Sequence, residues 1–345
     1  MSTVKQRFEG MLQVAAQRGL SDVHLKVGQP PLFRRAGRLI SRKDAQVLDA
    51  QSLEQMVEVV LTKERLQLYA AGHDITTTYG LVGVGRFRVQ VYRQRGVPAF
   101  SARLLPAAAQ GLAALQLPQT LANWVLGSSG LVLVCSGASH GRSTTLAGLI
   151  EVINTQSSEP RHLATIEAPI GVYHDDKLAW ITQREVGVDC ATFASGVAGS
   201  TNQDTDIIAA DGPADPAAWE ALIAAAEAGK LVIATLRTGG LVPGLRRLVT
   251  SLNVEPARLA GVFAGACATH LLPSPDGKRH VPAVEFLSAS PVVASILQSG
   301  VDYDQLFEQM AGPMGQTFER SLQQLMGGGR VSADAARQFT SFRLT

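Results

Sequence analysis

Apolar positions recur along this chain with two different periods, and the switches between them mark out its parts. In residues 4–19, Phe8, Met11, Leu12 and Ala15 share one helical stripe. Ser21-Asp22 leads into Val23-His24-Leu25-Lys26-Val27, where apolar and polar positions alternate as in a strand. Gly28-Gln29-Pro30-Pro31 turns the chain, and Leu32-Phe33-Arg34-Arg35 resumes a strand. Residues 51–71 read as a second helix. Residues 74–79 and 86–92 read as strands paired across the glycine-rich segment 80–85, and Arg103-Leu104-Leu105 closes the segment. The Ala/Pro/Gln-rich stretch 106–119 reads as flexible and puts a domain boundary near residue 112.

Beyond it the pattern changes. Short apolar runs at 131–135, 162–166, 206–210 and 231–236 alternate with helical periodicity at 142–155, 192–201 and 216–228. That rhythm predicts an α/β domain with a largely parallel sheet covered on both faces. After Leu245 the reading is mostly helical, with a hairpin over 270–287 turning on Pro275-Asp276-Gly277 and a last helix over 332–339.

Composition narrows the classes. A chain of 345 residues with 46% hydrophobic and 17% charged residues is globular and long enough for two cores. A net charge of +2 gives no bulk attraction for nucleic acid or an acidic membrane. Cys135, Cys190 and Cys267 sit in apolar or small-residue contexts without metal-ligand spacing, which predicts buried, reduced thiols. Met1 to Ser21 lacks the layout of a secretory signal, and no run approaches the ~20 apolar residues of a membrane span. A cytoplasmic protein is expected, with no direct membrane insertion and any peripheral association at the inner membrane made through partners.

The candidate chemistry starts at Leu131-Val132-Leu133-Val134-Cys135, which feeds Ser136-Gly137-Ala138-Ser139-His140-Gly141-Arg142-Ser143-Thr144 and then a helix. This is the layout of a phosphate-binding loop, G-x-x-x-x-G-K-[ST], with Ser136 at the first glycine and Arg142 at the lysine. Gly141 and the hydroxyls of Ser143 and Thr144 remain. A helix start still offers unpaired N–H groups to phosphate. Arginine keeps the charge, but its planar fork does not copy a compact ammonium. Glu167, at the end of a strand, is placed for general-base work on a water. Asp211, ending 206–211, has the shape of a magnesium-binding segment, or else caps the turn at 212–215.

These segments together resemble one family. Ser21-Asp22-Val23-His24-Leu25 with Gly28-Gln29-Pro30-Pro31, Gly85-Arg86-Phe87-Arg88-Val89, Thr165-Ile166-Glu167 with Pro169-Ile170, Gln183-Arg184-Glu185-Val186-Gly187-Val188-Asp189, Ala226-Glu227-Ala228-Gly229-Lys230-Leu231 and Thr235-Leu236-Arg237-Thr238 follow the order seen in the type IV pilus retraction ATPases. This is the PilT/PilU class of secretion ATPases, and the chain looks closer to the PilU-like members. The resemblance covers nearly the whole length. It implies an N-terminal PAS-like α+β domain (1–111) followed by a RecA-like P-loop NTPase domain with a helical C-terminal region (112–345), assembled as a hexameric ring. It implies ATP and Mg²⁺ as cofactors, a PilT-like ATPase in a homo- or hetero-hexamer and a pilus inner-membrane platform protein as partners, and arginine contacts to nucleotide from Arg86, Arg88 and Arg103.

The departures from that pattern cluster. Ser136 and Ser139 replace loop glycines, and Arg142 replaces the lysine. Ala168 and Gly171 replace acids, Asn202 replaces an arginine, and Lys230 and Arg237 stand at two histidine positions. The family's Gly-Glu becomes Asp211-Gly212. A one-residue shift in a strand turns a side chain to the other face, so Asp211 is expected not to replace the glutamate unless the strand has ended. Ser143 and Asp211 remain as candidate magnesium ligands. The expectation is a degenerate ATPase that binds ATP weakly or not at all and assists an active motor. The alternatives are an active motor with a rearranged site, and an adaptor that uses no nucleotide.

Overall fold

The computed structural model describes residues 2–343 except 36–37, 42–45, 107, 278 and 301. The chain forms two compact units, Met1–Ala107 and Ala108–Thr345.

The first unit runs α1 (Ser2–Gln17), β1 (Asp22–Lys26), β2 (Leu32–Arg35), β3 (Arg38–Ser41), α2 (Ala50–Val60), α3 (Lys63–Ala70), β4 (Ile75–Leu81), β5 (Gly85–Gln94) and β6 (Val97–Leu104). Its strands form one antiparallel sheet in the order β3-β2-β1-β6-β5-β4. The helices bury Phe8, Leu12, Leu53, Met56 and Val57 against Val23, Leu25, Phe87, Val89, Val91 and Phe100. Side chains alternate across a strand, so Asp22, Arg86, Arg88 and Arg103 stand on the opposite face. The single helix expected over 51–71 is two helices. Leu61 is extended, and the Thr62 hydroxyl accepts the Arg65 N–H at 3.4 Å, starting α3 afresh. The apolar period runs through that break, so periodicity alone does not register it.

The second unit adds α4 (Thr120–Val125), β7 (Gly130–Ser136), α5 (Arg142–Gln156), β8 (Arg161–Glu167), β9 (Ala179–Glu185), α6 (Phe193–Thr201), β10 (Ile207–Asp211), α7 (Pro216–Glu227), β11 (Leu231–Arg237), α8 (Leu241–Thr250) and α9 (Pro256–Val262). It then continues through β12 (Phe263–Pro273), β13 (His280–Ser288), α10 (Pro291–Gln298), α11 (Tyr303–Ala311), β14 (Gly315–Gln316), α12 (Phe318–Gly327) and α13 (Ala333–Arg343). The sheet order is β14-β13-β12-β7-β11-β10-β8-β9. From β12 across to β9 all neighbours are parallel, while β13 and β14 are added antiparallel. Leu131, Leu133 and Cys135 enter the core on one face of β7, and Val132 and Val134 the core on the other. A strand covered on both faces reads as an unbroken apolar run, which is why β7, β10 and β11 were visible in the sequence.

Three expectations are corrected here. The units divide ahead of residue 112, because Leu112 and Leu117 are buried with Leu146 and Leu149 of α5 in the second unit. The stretch 106–119 is therefore partly packed. The segment after Leu245 is less helical than expected, since β12 and β13 extend the hairpin on both sides and join the central sheet through β7. Cys135 and Cys267 are buried, but Cys190 is only half-buried. Burial pushes the Cys135 thiol up to about 12, so it stays protonated. Among the described residues, no helix is long and apolar enough to cross a membrane.

Candidate functional site

Parallel strands bring their carboxyl ends to one edge, where ligands bind in open α/β sheets. At that edge β7 ends at Ser136, whose hydroxyl donates to the Thr269 carbonyl at 3.1 Å. The loop then turns through Ser139, at φ +64°, and Gly141, at φ +90°, before α5 begins. Ser139 thus holds the left-handed conformation that glycine adopts without strain. The first-turn N–H groups of α5, at Arg142, Ser143 and Thr144, have no carbonyl a turn earlier to bond, and they carry the positive end of the helix dipole. Ser143 is half-buried and Thr144 exposed.

The β12–β13 hairpin grips this loop from outside. The Thr269 hydroxyl donates to the His140 carbonyl at 2.7 Å, and the Leu271 N–H donates to His140 Nδ1 at 3.2 Å. The His140 ring stacks on His270 with centroids 3.8 Å apart. Burial, with His280 nearby, lowers the pKa of His140 and favours the neutral ring that this accepted bond requires. His140 is therefore a packing element of the loop.

The acids form a row. Parallel pairing sets Asp211 beside Glu167 and Glu167 beside Glu185 on neighbouring strands, so all three share a face. Glu167 is 6% exposed and fully engaged: it accepts from Thr165 Oγ1 at 2.8 Å, the Gly171 N–H at 2.9 Å and Gln183 Nε2 at 3.2 Å. Burial raises its pKa, and the Asp211 charge adds to the rise. Asp211 accepts the Thr235 hydroxyl at 2.7 Å and faces Arg142 Nε at 3.5 Å. That Nε is buried and makes no hydrogen bond.

Asp211 was expected not to replace the family's glutamate unless the strand had ended there, and that condition is met. The strand ends at Asp211, and Gly212 turns at φ +92°, so face alternation does not carry across the two positions. A Cβ at Gly212 would lie 3.9 Å from Arg142 Nη2, so both positions border the same guanidinium.

The histidine-position pair separates. Arg237 ends β11 beside Ser136. Lys230 precedes the first residue of β11, at the far edge of the sheet, and its Nζ donates to the Thr205 carbonyl at 2.5 Å. Seven strand residues put it roughly 20 Å from the loop, so Lys230 is not part of the site. In the first unit, Arg103 Nε donates to Asp22 at 2.7 Å, and Arg88 lies across from Arg103 on the next strand.

A strand–loop–helix in this position, with acids ending the neighbouring strands, is the frame of a P-loop ATPase, and the comparisons agree. The profile of the type II/IV secretion system protein family matches residues 101–304, more than half of the chain. The chain belongs to the type II/IV secretion system protein family. The type IV pilus ATPase PilU of Pseudomonas aeruginosa is 28% identical over 339 residues, covering 95% of this chain and 87% of that protein. The type IV pilus retractation ATPase PilT of the same organism is 26% identical over 336 residues, covering 95% and 96%. A crystal structure of the pilus retraction motor PilT with bound ADP superposes with a TM-score of 0.85 at 28% identity, covering 96% of both chains. This type II/IV secretion system protein is thus of the PilT/PilU class, with an N-terminal PAS-like domain and a RecA-like domain.

The family's nucleotide can be tested against the residues present. The left-handed turns at Ser139 and Gly141, the start of α5 and the unbonded Arg142 Nε fit a phosphate. The metal position fits poorly. Asp211 already faces the Arg142 cation, which weakens it as a magnesium ligand. Sequence reasoning missed Thr165, Gln183, Glu185, Thr235, Thr269 and His270 as parts of this edge. Thr165, Gln183, Glu185 and Thr235 do lie in segments that carry the family resemblance, which was the available signal.

Proposed function

We propose that this protein is a degenerate PilT/PilU-like retraction ATPase that turns over little or no ATP and assists an active PilT-like motor. Its place would be in a homo- or mixed hexamer beneath a pilus platform protein. The pairing of Arg142 with Asp211 carries the reading. The cation that should meet the γ-phosphate and the acid nearest the metal position neutralise each other. Meanwhile Glu167, the candidate base, spends its carboxylate on three internal donors. Losing a single well-placed electrostatic contact commonly costs ~10²–10³ in rate, and here both charges are compromised. The test is ATP hydrolysis by the pure protein with magnesium, alone and mixed with an active PilT-like ATPase. No turnover alone and an altered rate in the mixture are expected. Turnover typical of the family, abolished by Glu167→Gln, would overturn the proposal.

Two observations favour a second reading, an active site with rearranged chemistry: Asp211 does face the loop, and Arg142 Nε is a buried donor without a hydrogen bond. This reading requires magnesium-dependent ATP binding, and no detectable binding at millimolar ATP removes it.

A further inference from the structure

The N-terminal unit carries an open sheet edge. β4 is the last strand of its sheet. The Leu105 N–H bonds to the Arg86 carbonyl, so the main chain of Arg86 faces β6. Bonding alternates along antiparallel strands, so the residue opposite Arg86 on β4, Gly80, turns its N–H and C=O outward, and Thr78 and Thr76 do the same. Arg65 Nη1 covers the Thr76 carbonyl at 3.4 Å. Thr78 and Gly80 instead border a groove of about 700 Å³, lined also by Lys5 and Glu9 of α1, Glu58 and Val59 of α2, and Val82. Val82, at the hairpin tip, is fully exposed.

Sheet edges are normally blunted, because an unpaired row of main-chain groups is a template for another strand. The edge strand β9 of the other unit is blunted: the Asp176 carboxylate accepts the Ile181 N–H at 2.9 Å. Along the β4 groove the charges are Glu9, Glu58 and Lys5. Lys5 lies 3.9 Å from Glu9, which leaves Glu58 without an ion-pair partner among the described residues.

We propose that this groove docks an extended, basic segment of a partner protein as an added strand on β4. Main-chain bonds to Thr78 and Gly80 would supply affinity. A lysine or arginine would meet Glu58, and an apolar residue would meet Val59 and Val82. The occupant is basic because the groove's unbalanced charge is acidic.

The probe is a blocked hexapeptide alternating lysine and valine, titrated against the full-length protein by fluorescence anisotropy and followed by amide hydrogen exchange. Saturable binding that protects the Thr78 and Gly80 amides is expected. Thr78→Pro removes an outward N–H that the sheet itself does not use, and should weaken binding about tenfold. Glu58→Lys, on an exposed helix surface, should abolish the preference for the lysine peptide over its glutamate counterpart. N-methylating alternate peptide nitrogens should lower affinity to the native protein by a similar factor, which keeps the test independent of any variant's folding. Binding unaffected by N-methylation, or binding without protection at Thr78 and Gly80, would overturn the proposal. So would self-association of the protein that Thr78→Pro breaks, because the groove would then belong to a second copy.

Discussion

Removing the Asp211 charge is the sharpest probe of the site. In Asp211→Asn the carboxylate that faces Arg142 at 3.5 Å is gone, while Thr235 keeps an acceptor. The two side chains are 17% and 8% exposed, so the pair is largely shielded from water. Their Coulomb attraction at an effective dielectric of about 20 is about 5 kcal/mol. Stranding one partner of a buried pair typically costs about 3–5 kcal/mol, and the residual exposure of Arg142 together with its imperfect geometry favours the lower end, about 3 kcal/mol. For a unit of this size that corresponds to a fall in melting temperature of about 6–12 °C. Calorimetry on Asp211→Asn, Arg142→Gln and the double variant completes a cycle, with an expected coupling of about 2 kcal/mol. The freed guanidinium should also bind anions, so inorganic phosphate should raise the melting temperature of Asp211→Asn more than that of the parent. If Asp211→Asn melts within about 1 °C of the parent, with coupling under about 0.5 kcal/mol, the pair does not exist in solution and the proposal built on it fails.

Three other outcomes are expected. The pKa of His140 is lowered from its ordinary 6.5, so the stability it lends is complete above 6.5 and is lost as pH falls through the lowered value. Amides of residues 137–141 should therefore exchange faster on acidification, and His140→Gln should flatten that profile. The groups facing the ring are His270 and His280, and their titration is read separately in the His270→Phe and His280→Gln variants. The pKa of Glu167 is raised above its ordinary 4.5, so its contribution is complete below 4.5 and is lost as pH rises through the raised value. Glu167→Gln should then remove part of that pH dependence, read as melting temperature against pH. Gly265 leaves no room for a side chain, since a Cβ there would lie 2.5 Å from the Trp124 ring. Gly265→Ala should destabilise by about 1–3 kcal/mol, measured by thermal melting, with a shift in tryptophan emission.

Legibility followed local chemistry. β7, β8, β10 and β11 could be read because strands buried on both faces are continuous apolar runs, and α5 because a glycine and hydroxyl residues mark its start. β9 was missed: between buried Ala179 and buried Glu185, Trp180 is exposed and 181–184 are half-buried, so no apolar run or clean alternation appears. β3 was missed because all four of its residues are exposed. At the site, the altered loop, Glu167 and Asp211 were all visible as residues. The side that Asp211 faces was not, because it depends on the strand ending at Asp211.

The sequence alone determined the two-part organisation, the parallel core and the set of altered positions, since each is written in apolar period or residue type. Tertiary structure decided which altered residues meet. Arg142 and Asp211 are far apart in the chain, and only the parallel order of β7, β11 and β10 brings their charges together. Lys230 just precedes β11 and Arg237 ends it, and the length of that strand alone carries Lys230 away from the loop. Partnership between charges is a matter of distance through space, and linear spacing does not encode it.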